Sequence, residues 1–142
     1  MLERLAKQKL VVIGNGMAGI RTVETLLERA PDLYDITVFG AEPYGNYNRI
    51  LLSPVLAGEK TVADIMLNTE QWYEDNGITL RKGETVTMID RRSCEVVTAD
   101  GARVPYDRLL IATGSNPIVL PIPGNKLKGV IGFRDIQDVE HM

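Results

Sequence analysis

The sequence predicts an α/β fold: a parallel sheet flanked by helices, with a three-stranded antiparallel β-meander attached. Three observations predict it. Lys9 to Ile13 is a short apolar run rich in β-branched residues that stops at a glycine turn. The turn opens a stretch of helical periodicity, and a second apolar run, Asp35 to Phe39, follows it. Towards the other end, Leu109 to Ala112 is again apolar and closes on Thr113-Gly114.

Each element has its own justification. Met17 to Ala30 reads as a helix because Ile20, Val23, Leu26, Leu27 and Ala30 recur on one face while Arg21, Glu24, Glu28 and Arg29 fall largely opposite; Pro31 and Asp32 stop it. With the flanking runs it makes one βαβ unit. From Gly40 to Gly58, Pro43, Gly45, Asn46, Asn48 and Pro54 break any long element, leaving a helical turn or two within Ile50 to Leu56. A short helix is expected over Thr69 to Asn76, with Asn68 as its cap and Gly77 as its stop. Ile78 to Lys82 follows as a third parallel strand. Thr85 to Ile89, Glu95 to Thr98 and Arg103 to Tyr106 form the meander, with Ala99-Asp100-Gly101 turning between the last two. Pro117, Pro121, Pro123 and Gly124 make a stiff crossing, Gly129 to Phe133 reads as one more strand, and Asp135 to Met142 begins a helix.

Bulk properties exclude several classes. At 142 residues the chain suits one domain, a size that buries roughly two-thirds of its unfolded surface. A net charge of -3 argues against a polyanion-binding face. No stretch reaches the ~20 apolar residues of a membrane span, and the apolar run after Met1 to Gln8 is too short for a signal peptide. A cytoplasmic protein that binds neither nucleic acid nor membranes is expected. The single cysteine, Cys94, excludes an internal disulfide and reads as an inert, half-buried thiol; no Cys/His set exists for a metal. His141, the one histidine, is too near the end to be held for catalysis.

The chemistry lies in backbone turns. In Gly14-Asn15-Gly16-Met17-Ala18-Gly19, Gly14 permits a tight turn, Gly16 lets a pyrophosphate approach the backbone, and Gly19 allows close helix–strand packing. Free N–H groups and the dipole at the helix start then hold the anion without a lysine. Such turns also occur for packing alone, but between two predicted strands this one reads as the dinucleotide-binding turn of a Rossmann-like fold. Glu42 follows Gly19 at close to the ~20 residues at which a ribose acceptor is expected. A solvated loop carboxylate is the bland alternative, and no Lys or Arg adjoins Glu42 in sequence to welcome a 2′-phosphate. Val104 to Gly114 runs from a polar turn into an apolar strand ending in Ala112-Thr113-Gly114, small residues that leave room for a ligand against backbone; alone it would read as a buried strand with a glycine stop.

An N-terminal glycine fingerprint, a meander and then an Asp-x-Leu-Leu-Ile-Ala-Thr-Gly strand together resemble the FAD domain of the two-dinucleotide-binding-domain flavoprotein reductases. The resemblance covers essentially the whole chain. It sharpens at Asp35 to Phe39, Glu42-Pro43, Tyr47 to Ser53 and Ala112 to Ser115, where it is most similar to the large subunits of NAD(P)H-dependent assimilatory nitrite reductases. The resemblance implies that Gly14, Gly16, Ala18 and Gly19 line the FAD pyrophosphate and that Glu42 holds the adenosine ribose. Arg49 reaches the phosphates or the flavin side, Val86 offers backbone to the adenine, and Thr113 and Gly114 close over the cofactor. An arginine in such a loop otherwise forms a surface ion pair of little worth. Many relatives carry a lysine just after the serine matching Ser53; here it is Pro54, a departure that argues against a proton-relay or flavin-tuning role for this loop.

By the same resemblance, residues 1–142 are a partial FAD-binding domain. An NAD(P)H domain, a closing FAD segment, and iron–sulfur and sirohaem domains are expected downstream, with a small subunit as a further partner. NAD(P)H would pass hydride to the flavin, which delivers electrons through the metal centres to reduce nitrite to ammonium. The chain alone is expected to be inactive and to hold FAD weakly. Rival readings are a rubredoxin or ferredoxin reductase and a non-catalytic NAD- or ADP-ribose-binding module. A disulfide reductase fits less well, since Arg49 to Leu56 contains no redox cysteine.

Overall fold

The structure is a computed structural model and describes residues 6–142, so most of the Met1 to Gln8 stretch lies outside the described residues. In chain order, β1 (Gln8–Ile13), α1 (Met17–Arg29) and β2 (Tyr34–Gly40) form the βαβ unit. Next come α2 (Leu52–Leu56), α3 (Glu70–Asp75) and β3 (Thr79–Lys82). The meander strands β4 (Val86–Asp90), β5 (Glu95–Thr98) and β6 (Arg103–Pro105) precede β7 (Arg108–Ile111), and α4 (Ile136–His141) comes last. The parallel sheet runs β3-β2-β1-β7 and the separate antiparallel sheet β4-β5-β6. The α/β class, the βαβ unit and the meander are as the sequence predicts.

β1 is the centre of the molecule because both of its faces are covered. Leu10 and Val12 point towards α1 and pack with Ile20, Val23, Ile36, Val38, Tyr73 and Ile78. Val11 and Ile13 point the other way, with Phe39, towards Val96 of the meander. Period-2 alternation with two buried faces is why this strand reads as a continuous apolar run. A third cluster, Tyr47, Leu52, Ile65 and Ile136, fixes the 42–66 loop against α4. Asp135 starts α4 with a capping box, its side chain accepting from the Asp138 N–H while Asp138 accepts in return.

Four expectations are corrected. Gly129 to Phe133 is not a strand: Val130 and Ile131 are about half exposed, at 53% and 47%, and no neighbouring strand offers a ladder. From Thr113 to Phe133 the chain forms no helix or strand. The cap of α3 is Thr69, whose side chain accepts from the Trp72 N–H, and not Asn68, which bonds Asn46 and Glu24 instead. Ile78 lies just before β3 as a buried residue rather than within it. Cys94 is exposed, not half-buried, and sits in the β4–β5 turn at φ 54°. No helix among the described residues is long and apolar enough to cross a membrane.

The meander carries a pH-dependent contact. Arg103 bonds Glu95 at 2.8 Å and Asp90 at 2.7 Å across the antiparallel strands. Arg103 chiefly holds Glu95 below its usual value, and the Ser93 backbone, followed by its side chain and Arg103, does the same for Asp90. A carboxylate depressed in the folded state stabilises above its unfolded pKa and loses that contribution as pH falls through the folded one. The melting temperature is therefore expected to decline below about pH 4.5. Arg103→Met should flatten that decline, which thermal melts across an acid series will measure.

Candidate functional site: a cleft between two backbone turns

The parallel pairing of β1 with both β2 and β7 decides where the site lies. Ile13 sits beside Phe39 on one side and Ile111 on the other, so the three strands end together and the chain leaves β1 at the point where strand order reverses. Crevices form at such switch points, beyond the carboxyl ends of the strands. The ladders run to the brim: Gly14 N–H donates to Phe39 O at 2.8 Å, and Ala112 N–H donates to Ile13 O at 2.8 Å.

Beyond those ends lies a cleft of about 570 Å³, walled by the 14–18 loop, residues 39–49, Glu84 to Val86, residues 112–116 and Arg134. Gly14 adopts φ +113°, and a Cβ there would stand 2.1 Å from the Ala112 carbonyl oxygen, so glycine is the residue that lets the two turns touch. Around Gly16 nothing comes within 4 Å of the corresponding position, which leaves open space over the loop. Gly16 is the N-cap of the 13-residue α1, makes no side-chain cap, and no acidic residue occupies the first turn. The first N–H groups of that helix are thus left for an anion, in the field of its dipole.

Of the residues predicted from sequence, Gly14, Gly16, Ala18, Glu42, Arg49, Val86, Thr113 and Gly114 all wall this cleft. Gly19 does not. It is buried one turn into α1, where a Cβ would lie 2.9 Å from Gly14 O and 3.2 Å from the Ala112 Cβ, so its lack of a side chain lets the helix close onto the sheet. Although no Lys or Arg adjoins Glu42 in sequence, the fold brings one to it. The loop folds back, and Arg49 forms an ion pair with Glu42 while donating to the Tyr47 hydroxyl at 2.7 Å and to Arg134 O at 3.1 Å. The charge of Arg49 is thus matched by Glu42.

Among the cleft residues that the sequence did not point to, Tyr47 and Arg134 bind the site's own charged groups. Tyr47, 4% exposed, donates 2.6 Å to the second Glu42 oxygen, so the carboxylate is held from both sides. Burial and then Glu42 push the Tyr47 hydroxyl far above its usual range, which keeps it a donor. Arg134 joins the walls, its Nε donating 2.6 Å to Ser115 O while its own carbonyl accepts from Arg49. The alternation of Glu42, Tyr47 and Arg49 in one loop was the available signal for Tyr47; for Arg134, far along the chain, there was none.

The sequence pattern that defines the pyridine nucleotide-disulphide oxidoreductases matches residues 8–142. The chain belongs to that family. Within it, the chain is 51% identical over 138 residues to the nitrite reductase [NAD(P)H] of Bacillus subtilis (strain 168), covering 97% of this chain and 17% of that protein. It is 52% identical over 136 residues to the assimilatory nitrate reductase electron transfer subunit of the same organism, covering 96% and 18%. The chain therefore spans less than a fifth of these relatives. Among solved structures, the NADH:rubredoxin oxidoreductase of Clostridium acetobutylicum superposes with a TM-score of 0.84 at 27% identity, over 95% of this chain and 34% of that one. In this pyridine nucleotide-disulphide oxidoreductase chain, the lone Cys94 stands outside the cleft, so its residues carry no dithiol chemistry of their own.

Proposed function

We propose that residues 1–142 form part of the FAD-binding domain of an NAD(P)H-dependent nitrite reductase large subunit. The observation that carries the cofactor reading is the contact between Gly14 and Ala112, which brings two separate backbone turns to one cleft beside the uncapped start of α1. Gly14, Gly16 and the α1 N–H groups would hold the pyrophosphate, and Ala18 would complete that wall. Glu42, fixed by Tyr47 and Arg49, would accept from the adenosine ribose. The Val86 backbone would meet the adenine, and Thr113 and Gly114 would close over the far half. When bound, the flavin supplies the redox chemistry, taking hydride from NAD(P)H and passing electrons on; the protein supplies position and electrostatics.

Identities of 51% to a nitrite reductase and 52% to an assimilatory nitrate reductase electron transfer subunit, against 31% to an NADH-rubredoxin oxidoreductase, support a place in nitrate and nitrite assimilation, with nitrite the acceptor we assign. The whole protein would then add an NAD(P)H domain, a closing FAD segment and iron–sulfur and sirohaem domains. A small subunit is the partner we assign, and the cytoplasm, where the pyridine nucleotide donor is, the location. A non-catalytic NAD module would use the first βαβ unit alone and gives no purpose to the apposed 112–114 turn.

Titration of the purified full-length protein with FAD and with NAD tests the cofactor reading. Saturable FAD uptake with a flavin absorption band is expected. Saturation by NAD at this cleft, with FAD excluded, would overturn it.

A further inference from the structure

The second residue of the glycine loop carries a side chain that the cofactor reading leaves without a role. Asn15 Oδ1 accepts 2.7 Å from the Tyr73 hydroxyl, and its Nδ2 donates 3.5 Å to the Tyr44 carbonyl. Gly40 leaves space for it, since a Cβ there would come within 3.0 Å of the Asn15 Cβ. The glycine loop, the end of β2, the 44–45 wall of the cleft and α3 therefore meet on this one amide.

Tyr73 is built for the task. It is 1% exposed within the α1 core cluster and does not wall the cleft, so it reaches a ligand only through its partners, the Asn15 amide and the Asn46 main chain. Burial pushes its hydroxyl up to about 12, against the pull of the Asn46 main chain and the Asn15 amide, so it stays a donor at neutral pH. A second chain of bonds ties the residue after that wall to α1: Asn46, 2% exposed, donates 3.0 Å to Asn68, which donates 3.1 Å to Glu24. The helix that presents N–H groups to the cleft and the loop that faces it are thus held in one frame.

We infer that Asn15 is a positioning residue: anchored by the Tyr73 hydroxyl, it sets the spacing between the glycine loop and the 44–45 wall, and with it the fit of a dinucleotide's phosphates. This rests on the FAD reading above. A hydrogen bond of this kind is worth about a fivefold factor in an equilibrium, and two residues that act through one bond show non-additive losses.

The test is a double-mutant cycle in the full-length protein, with FAD as the probe. The dissociation constant for FAD and the apoprotein melting temperature are measured for wild type, Asn15→Ala, Tyr73→Phe and the pair. Tyr73→Phe keeps the ring and its packing, which isolates the hydroxyl and guards against a folding failure. Each single change is expected to weaken FAD about fivefold, and the pair no more than the worse single. A pair weakened by about 25-fold, the product of independent effects, overturns the inference. So do variants that melt earlier but bind FAD as wild type does. Wild type that takes up no FAD overturns the cofactor reading and this inference together, whereas normal uptake with uncoupled variants overturns only the positioning role.

Discussion

Gly14→Ala is expected to abolish FAD uptake and to destabilise the fold by about 3 kcal/mol or more. The added Cβ would stand 2.1 Å from the Ala112 oxygen, 2.6 Å from the Ala112 carbonyl carbon and 3.1 Å from the Thr113 nitrogen. These are backbone atoms, so no side chain can rotate out of the way. Relief requires moving the 112–113 peptide, which strains the Ala112 N–H bond to Ile13 O, or abandoning φ +113° at position 14. Either opens the junction at which the two turns meet. Gly16→Ala is the control: with nothing within 4 Å and φ -91°, the methyl group fits the fold but projects over the ligand-facing loop. Denaturant midpoints should separate the two variants, while flavin absorbance should fall in both.

Glu42→Ala is expected to weaken FAD about 10- to 100-fold, the range for a charged hydrogen bond. Its carboxylate is held by Tyr47 and Arg49, so a ribose would meet an acceptor already oriented, at little cost in side-chain freedom. The test is selective: an FAD analogue lacking the adenosine 2′-hydroxyl should bind wild type more weakly than FAD does, yet bind Glu42→Ala as FAD does. If the analogue discriminates equally in both proteins, Glu42 is not the ribose acceptor.

Much of this was legible in the sequence because it rests on local rules. The β1 and β2 runs and the periodicity of α1 each report a face that must be buried, and the glycine loop between strand and helix reports a backbone turn. What the sequence hid depends on partners. Val130 and Ile131 have the composition of a strand, but a strand needs a neighbour to pair with and the Pro-rich crossing supplies none. Gly19 belongs to the fingerprint, yet its position one turn into α1 turns it towards Ala112 and away from the cleft. Arg49 and Glu42 are separated by a loop whose fold-back is fixed by Tyr47, Leu52 and Ile65 packing on Ile136, a contact no local pattern reveals. Asn15 and Tyr73, far apart in sequence, pair only because α3 packs against the glycine loop.

A crystal structure of the full-length protein with FAD decides whether the two turns share one cofactor. One FAD is expected, its pyrophosphate resting on Gly14 to Gly16 and the backbone of residues 112–114 touching it as well. A dinucleotide seated on the first loop alone, with the 112–114 turn free of it, rules out the shared site.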